Sequence, residues 1–318
     1  MSSILPVTLP FFALVFCGYA AAWRGFLPES AIPGLNAFVL FFALPCLLFR
    51  FGASMPFAQL IDPALLGIYA VCALVVVAGT VAATRRQVGL KDAAFGGLVA
   101  AFPNTGFMGV PLLVALFGER AAGPVITTVL VDLALTSSLC IAIAESGSGT
   151  HHPTGPSPLA RALRGAFSNP LPWAIALGAV KAASGLQLPG PVDQVIRMLA
   201  DAASPVALFT IGAVLWRAGR HAHTRTPPAH FLPVAAVKLF LHPLLVLGAG
   251  LAARAAGFDV PAYGLTVLVL ASALPSASNV SMLAERHGAD NGRVARIIMA
   301  TTVLSFATFS GFAALMRQ

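Results

Sequence analysis

The chain contains Pro103-Asn104-Thr105-Gly106-Phe107-Met108-Gly109-Val110-Pro111 inside one apolar segment and Leu274-Pro275-Ser276-Ala277-Ser278-Asn279 inside another. In each stretch a proline is followed within four residues by asparagine and hydroxyl side chains. Proline removes an intrahelical hydrogen bond, whereas Asn, Ser and Thr suit the start of a new helix. The two stretches therefore predict two helices that are each interrupted near the middle and restart after the break.

The composition places the chain in a membrane. Of its 318 residues, 58% are hydrophobic and 9% are charged, and the mean hydropathy is +0.87. Soluble domains carry about 25% charged residues, and a membrane-spanning helix needs about 20 apolar residues. The sequence therefore predicts an all-α membrane protein with ten transmembrane helices, at residues 4–23, 34–52, 63–84, 92–117, 121–145, 169–186, 192–216, 231–253, 261–284 and 294–316.

The second half of the chain resembles the first. Pro45–Ala53 returns as Pro205–Ala213 with Pro, Leu, Phe, Gly and Ala matching at an offset of 160, which also pairs Gly18 with Gly178. Similar composition of apolar helices is the alternative explanation. Internal repeats in membrane proteins are typical of secondary transporters. We interpret the chain as a five-helix repeat, a Pro/Gly/Ser-rich linker and a second five-helix repeat, at residues 1–145, 146–168 and 169–318.

Basic residues set the expected orientation. Alternate loops hold twelve Lys and Arg on one side and five on the other. The positive-inside rule places the richer side in the cytoplasm. The protein is then expected to be integral to the cell's inner membrane, with both termini on the outer side and the linker 146–168 in the cytoplasm. Because each repeat has an odd number of spans, the second repeat enters the membrane inverted.

The interrupted helices predict an anion site. A restarting half-helix presents unpaired backbone N–H groups and a partial positive charge, which bind carboxylates. Inverted repeats bring two such ends to the membrane centre, where Asn104 and Asn279 are expected to cap the half-helices and donate amide N–H groups. Prolines that merely kink packed helices are the alternative. The predicted substrate-binding residues are Pro103, Asn104, Thr105, Gly106, Pro275, Ser276, Ser278 and Asn279.

Several ionisable residues lie inside apolar segments. Asp132 is costly at mid-span, which indicates a role either in coupling to a proton or sodium ion or in satisfying backbone near the break. Lys238 and His242 are four residues apart; we expect Lys238 to reach toward the cytoplasmic surface, with electrostatic support of substrate as the alternative. Arg197 and Asp201 have the same spacing and are expected to pair.

Other site chemistries find little support in the sequence. The cysteines fall in apolar segments and are interpreted as core residues, and no His/Cys spacing indicates a metal site. Neither a phosphate-binding loop nor a protease motif is present, so no enzyme activity and no cofactor beyond a coupling ion are expected. The net charge of +8 lies in loops, where membrane topology rather than nucleic acid explains it.

Four stretches resemble the auxin efflux carrier family: Phe42–Pro45, Pro103–Pro111, Phe117–Glu119 and Leu283–Asp290. The resemblance covers nearly the whole chain and extends to bacterial malonate-transporter-like members. It implies two inverted five-helix repeats, with broken helices 4 and 9 crossing at the membrane midplane, where substrate binds. It also implies a scaffold of helices 1, 2, 6 and 7 that forms a homodimer, and a transport domain of helices 3–5 and 8–10 that moves as an elevator.

The sequence thus predicts a secondary active transporter of a small organic anion. A mono- or dicarboxylate such as malonate is the expected substrate, and membrane lipid is the expected surrounding. An auxin- or indole-acid-type uniporter and an anion channel on the same fold are the alternatives. A ligand sensor and a membrane-embedded enzyme are further possibilities that the sequence favours less.

Overall fold

The computed structural model describes residues 5–54, 61–146, 170–220 and 226–316, so the expected linker lies outside the described residues except for Ser146. The described residues are almost entirely helical. Their α-helices are α1 (Leu5–Trp23), α2 (Ile32–Phe38), α3 (Leu44–Ser54), α4 (Pro63–Val88), α5 (Leu90–Ala101), α6 (Val110–Phe117), α7 (Ala122–Val131), α8 (Ser137–Ser146), α9 (Pro170–Ser184), α10 (Gly190–Arg220), α11 (Pro228–Ala236), α12 (His242–Ala255), α13 (Ala262–Ser272), α14 (Asn279–Arg286) and α15 (Asn291–Met316).

Four short π-helical turns continue or start these helices. Three of them join α2 to α3, α7 to α8 and α11 to α12, and the fourth precedes α6. A π turn inserts one residue into the helical repeat and is frequent at functional sites. The turns are Val39–Ala43, Asp132–Thr136, Val237–Leu241 and Thr105–Gly109.

Seven helical stretches among the described residues are long and apolar enough to cross a membrane. The chain is therefore an integral membrane protein. These stretches are Pro6–Trp23, Glu29–Ser54, Pro63–Val88, Glu119–Ser146, Gly190–Arg217, Pro228–Ala255 and Asn291–Met316. Each overlaps one of the ten segments drawn from the sequence. Segments 4 and 9 are instead pairs of shorter helices, α5 with α6 and α13 with α14, and the described part of segment 6 is the 15-residue α9.

Glycines bring two helix pairs into backbone contact. A β-carbon at any of these glycines would overlap a carbonyl oxygen of the facing helix, so only glycine fits. Between α1 and α10, Gly18 contacts Phe209 and Gly212 contacts Val15. Between α3 and α9, Gly52 contacts Ile175 and Gly178 contacts Phe49. The two pairs correspond residue by residue at the offset of 160. The contact of Gly18 with Phe209 corresponds to that of Gly178 with Phe49, and the contact of Gly212 with Val15 corresponds to that of Gly52 with Ile175.

The outer surface is apolar, as contact with lipid requires. Large side chains such as Phe16, Trp23 and Trp173 are more than half exposed. Cys17 is also exposed, so its expected place in the core is wrong, whereas Cys72 and Cys140 are buried. A helix in lipid turns apolar residues both inward and outward, and composition alone does not distinguish the two faces.

The expected pairing of Arg197 with Asp201 is wrong. Arg197 instead binds Asp193, one turn earlier on α10, with Nη2 at 2.6 Å from the carboxylate. Asp201 receives the guanidinium of Arg50 from α3 at 2.7 Å. Residues four apart in either direction are neighbours on a helix, and the spacing could not decide between Asp193 and Asp201.

Candidate functional site

The two interrupted helices meet at their breaks and are joined by main-chain hydrogen bonds. Phe102 follows α5 in an extended conformation, with φ of −90° and ψ of 100°. The Asn104 N–H donates to the carbonyl of Pro275 at 2.8 Å, and the Ala277 N–H donates to the carbonyl of Phe102 at 3.0 Å. Each break thus satisfies backbone groups that the other leaves unpaired, as backbone inside a membrane requires.

Ser276 fastens this crossing with its side chain and backbone. It lies opposite Pro103 in an antiparallel bridge. Its hydroxyl donates to the carbonyl of Val99 at 2.7 Å, and its N–H donates to the Thr301 hydroxyl at 3.2 Å. Val99 is four residues before Pro103, so its carbonyl is the one that the proline leaves without a helical donor. The hydroxyl and the N–H of Ser276 are consequently engaged within the protein.

A small cavity of about 40 Å³ adjoins the crossing. Five of the predicted substrate-binding residues line it: Pro103, Asn104, Thr105, Gly106 and Asn279. The other three, Pro275, Ser276 and Ser278, do not. The remaining lining residues are apolar: Leu40, Leu44, Phe102, Phe107, Val129, Leu133, Leu171 and Ala277. A space of this size holds a few water molecules, so an organic ligand requires the cavity to widen.

Unpaired backbone donors begin one or two residues beyond the breaks. Within the described residues, the N–H groups of Gly106 and Phe107 have no hydrogen-bond partner, and neither do those of Ser278 and Asn279. The crossing takes the N–H groups of Asn104 and Ala277, whereas the Thr105 N–H donates to the Pro103 carbonyl and the Ser276 N–H to the Thr301 hydroxyl. Three of these four residues line the cavity. The partial positive charge of both restarting helices is therefore available there.

The asparagines do not cap the half-helices as expected. Asn104 precedes the π turn, and its side chain makes no capping hydrogen bond. Its main-chain carbonyl oxygen accepts hydrogen bonds from the N–H groups of Met108 and Gly109, both at 3.0 Å. Asn279 is the first residue of α14 rather than its cap. Its buried Oδ1 has no partner within the described residues. The Asn279 amide is therefore free for a ligand in the cavity.

A second polar cluster lies behind the crossing, around Asp132. This carboxylate is fully buried and accepts the Tyr69 hydroxyl at 2.8 Å and the Thr136 hydroxyl at 3.2 Å. The Tyr69 oxygen also lies 3.5 Å from the carbonyl of Ala101, the last residue of α5 before its break. Tyr69 thus links Asp132 to the interrupted helix. Sequence reasoning missed Tyr69, for which its mid-span position was the only signal.

Lys238 belongs to the same buried cluster, so the expectation that it reaches the surface is wrong. Its side chain has no exposed area, and its Nζ donates to the carbonyl of Ser272 at 2.9 Å. Nζ also lies 3.2 Å from His242 Nδ1 and is attracted electrostatically by Asp132. The π turn Val237–Leu241 directs the lysine inward. The Ser272 carbonyl at the C-terminus of α13, where the helix carries a partial negative charge, gives the buried ammonium a hydrogen-bond acceptor.

A larger space of about 930 Å³ opens at one end of the helix bundle, between α2, α10, α14 and the start of α15. We call it the vestibule. The Asn36 amide donates to the Met282 sulfur at 3.2 Å, and both residues line it. Leu40 and Asn279, about one turn away on the same helices, line the small cavity. The Asn36–Met282 contact therefore lies between the two spaces.

Sequence comparisons relate the chain to known proteins. The family profile described as "Membrane transport protein" matches residues 3–313. A Rhizobium meliloti (strain 1021) protein named "Putative malonate transporter" is 32% identical over 323 residues, covering 100% of this chain and 97% of that protein. An uncharacterized transporter of Escherichia coli (strain K12) is 26% identical, covering 94% and 92% of the two chains. Auxin efflux carrier component 3a of Oryza sativa subsp. japonica is 25% identical over 45% of this chain and 24% of its own length.

Proposed function

Because the chain belongs to the membrane transport protein family, we propose that it carries a small organic anion across the membrane by secondary active transport. The resemblance to auxin efflux carriers predicted from sequence is confirmed by these matches. The relatives are named as transporters, so the chain is a membrane transporter and not an enzyme. We propose a mono- or dicarboxylate as the substrate, with malonate as the first to test because of the Rhizobium meliloti relative's name.

One observation carries the choice of an anion. Two interrupted helices meet, and unpaired N–H groups at the starts of both restarting halves lie around one cavity. Such N–H groups bind carboxylates without a neighbouring cation, and the free amide of Asn279 supplies a further donor after a half-rotation of its side chain. The apolar wall suits the carbon skeleton of the substrate. In the proposed site, Pro103 and Pro275 create the breaks, Ser276 joins the two breaks, and Ser278 contributes an unpaired N–H group.

The proposed architecture is ten membrane crossings in two inverted five-helix repeats. The glycine contacts between α1 and α10 and between α3 and α9 support it, because the offset of 160 interchanges them residue by residue. We place both termini outside the cell and the linker 146–168 in the cytoplasm, on the distribution of basic residues. Under this orientation the vestibule opens to the cytoplasm.

The proposed movement is of elevator type. The scaffold is α1, α2, α3, α9 and α10, and it forms a homodimer; the remaining helices form the transport domain. The vestibule separates α2 and α10 of the scaffold from α14 and α15 of the transport domain. Sliding the crossing along the scaffold would break the Asn36–Met282 contact and open the small cavity to the vestibule.

We assign coupling to the buried cluster. Asp132 is the proposed coupling residue, and Lys238 and His242 give it electrostatic support. The Tyr69 hydroxyl donates to Asp132 and lies beside the end of α5, and Lys238 binds the end of α13. A change of charge in the cluster would therefore act on both interrupted helices.

Ligand-induced stabilisation of the purified protein in detergent tests the proposed substrate class. Malonate and related mono- and dicarboxylates are screened beside uncharged amides of the same carbon skeletons, since a ligand that binds only the folded state raises the melting temperature. We expect at least one carboxylate to stabilise the protein, and its amide not to. Labelled ligand should then accumulate in proteoliposomes and exchange against the same anion inside. Stabilisation by none of the carboxylates would overturn the proposal.

An indole-acid-type uniporter is the second candidate, favoured by the match to the rice auxin efflux carrier component. Indole-3-acetate in the same screen separates the two, because it carries a single carboxylate on a large aromatic ring. An anion channel on the same fold would show flux that does not saturate and no exchange of labelled anion. Saturable exchange therefore favours a carrier.

A further inference from the structure

The cavity at the crossing offers a ligand little positive charge. Among the described residues, the thirteen that line it include no Asp, Glu, Lys, Arg or His. Its positive charge comes from the starts of the two restarting half-helices, which carry about half an elementary charge each. A doubly charged ligand would therefore leave about one negative charge uncompensated beside apolar side chains. An isolated carboxylate in such surroundings takes up a proton rather than remaining charged.

An unsatisfied acceptor in the same place calls for a proton on the ligand. Asn279 lines the cavity, and its buried Oδ1 has no hydrogen-bond partner within the described residues. A carbonyl oxygen repels a carboxylate but accepts the O–H of a carboxylic acid. In its present orientation the Asn279 amide needs no rotation to receive such a donor. The site therefore combines donors for one carboxylate with an acceptor for one acid.

Asn104 supplies a side-chain donor for the carboxylate. It is 4% exposed, it lines the cavity, and its side chain makes no hydrogen bond within the described residues. The unpaired backbone N–H groups of Gly106, Phe107 and Asn279 lie around the same space. Backbone and amide N–H groups of this kind hold one carboxylate without a cationic side chain.

We propose that the protein carries a dicarboxylate in its half-protonated form, with one carboxylate on the N–H groups of the two half-helices and the remaining carboxylic acid donating its O–H to the Asn279 oxygen. This inference rests on the proposed function and specifies the substrate of that same site. The acid takes its proton from the solution before it binds and returns it after release. One proton therefore crosses the membrane on each substrate molecule.

Calorimetric titration of the purified protein with three related ligands tests this inference. Malonate gains or loses its second proton near neutral pH. Malonamate, in which one acid is an amide, and monomethyl malonate, in which it is an ester, stay singly charged. The amide keeps a hydrogen-bond donor and the ester has none. Each ligand is titrated at several pH values between about 6 and about 8. Repeating each titration in buffers of different ionisation enthalpy gives the number of protons taken up on binding.

We expect malonate binding to take up about one proton at the upper end of this range, and its apparent affinity to fall about tenfold per pH unit there. Malonamate and monomethyl malonate should take up none, and their affinities should stay constant. Malonamate should bind more tightly than the ester. Asn279→Ala should remove this difference between the two, whereas Asn104→Ala should weaken both alike.

Malonate binding without proton uptake would overturn the inference, because the protein would then hold the dianion. Equal proton uptake with all three ligands would also overturn it, since the proton would belong to a protein group such as Asp132, Lys238 or His242 behind the crossing. Equal affinity of wild type for malonamate and the ester would remove the role of the Asn279 oxygen. These three results need no variant to fold and leave the proposed anion carrier standing. Binding of none of the ligands would overturn the inference and the malonate-like substrate together.

Discussion

Pro103 removes the donor that the carbonyl of Val99 would have in an unbroken helix, and a hydroxyl from the other half of the chain replaces it. Ser276 lies 177 residues further along and reaches this carbonyl at 2.7 Å. As a result, the polar residues of the two breaks have different roles. Ser276 serves the crossing, whereas the buried Asn279 oxygen remains without a partner within the described residues. Residues of similar polarity thus differ in whether they are available to a ligand.

Replacing Asn104 or Asn279 by alanine should weaken carboxylate binding. Each change removes a hydrogen bond to a charged ligand, which is worth about 1–3 kcal/mol, or roughly 5- to 150-fold in the dissociation constant. Calorimetric titration of the purified variants measures this. Asn36→Ala is the matched control, because this asparagine lines the vestibule and its contact with Met282 must break before the cavity opens, so its loss should not weaken binding. Wild-type affinity in both Asn104→Ala and Asn279→Ala would show that substrate binds elsewhere.

Backbone contact between helices fixes the packing of α1 with α10 and of α3 with α9. Each glycine faces a carbonyl oxygen at a distance that excludes any side chain. Small residues allow such approach in membranes, where association depends on van der Waals packing rather than on the hydrophobic effect. In the proposed movement, these pairs belong to the scaffold along which the interrupted helices slide.

Gly52→Ala and Gly212→Ala should each destabilise the protein, because the added β-carbon meets main-chain atoms that cannot rotate away. Overpacking of this kind costs about 1–3 kcal/mol. Gly79→Ala in α4 is the matched control, since nothing lies within 4 Å of its β-carbon position. That substitution should be neutral or slightly stabilising, because alanine favours a helix over glycine by about 0.5–1 kcal/mol. Denaturant titration of the purified proteins distinguishes the outcomes, and equal stability of all three variants would contradict the packing argument.

The interruptions could be predicted from sequence because Pro103 and Pro275 act locally, on the hydrogen bonds of their own helices. The capping roles of the asparagines could not, because the crossing of two distant segments decides which N–H groups remain free. Lys238 is buried within a π turn, and nothing in the sequence of Val237–Leu241 distinguishes that turn from regular helix. The apolar wall of the cavity was missed for a related reason. Leu40 and Leu171 resemble lipid-facing residues in sequence, and only tertiary packing assigns them.

Two spaces of very different size lie along one route through the protein. The vestibule measures about 930 Å³ and the cavity at the crossing about 40 Å³. Charged residues of both signs surround the vestibule; Arg217 lies 3.8 Å from Glu29 and 3.9 Å from Glu285, and so contacts both proposed domains. These partly exposed ion pairs are weak individually, which suits contacts that must break and re-form during transport.

Cross-linking across this boundary should stop transport. In a background with Cys17 and Cys46 replaced by serine, we introduce Asn36→Cys and Met282→Cys, whose native side chains are in contact. Oxidation should abolish anion exchange in proteoliposomes, and reduction should restore it. Each single variant under oxidation is the control and should retain exchange. Full exchange by the oxidised double variant, with the disulfide verified by mass, would mean that α2 and α14 do not move apart.

The joint between the broken helices has a consequence for how such proteins diversify. Its two main-chain bonds, from Asn104 to Pro275 and from Ala277 to Phe102, depend on backbone atoms alone. Neighbouring positions such as Thr105 and Asn279 can therefore change their side chains without loosening the joint. Selection for a new cargo can act there at little cost to folding, and one scaffold can serve transporters that move chemically unrelated acids.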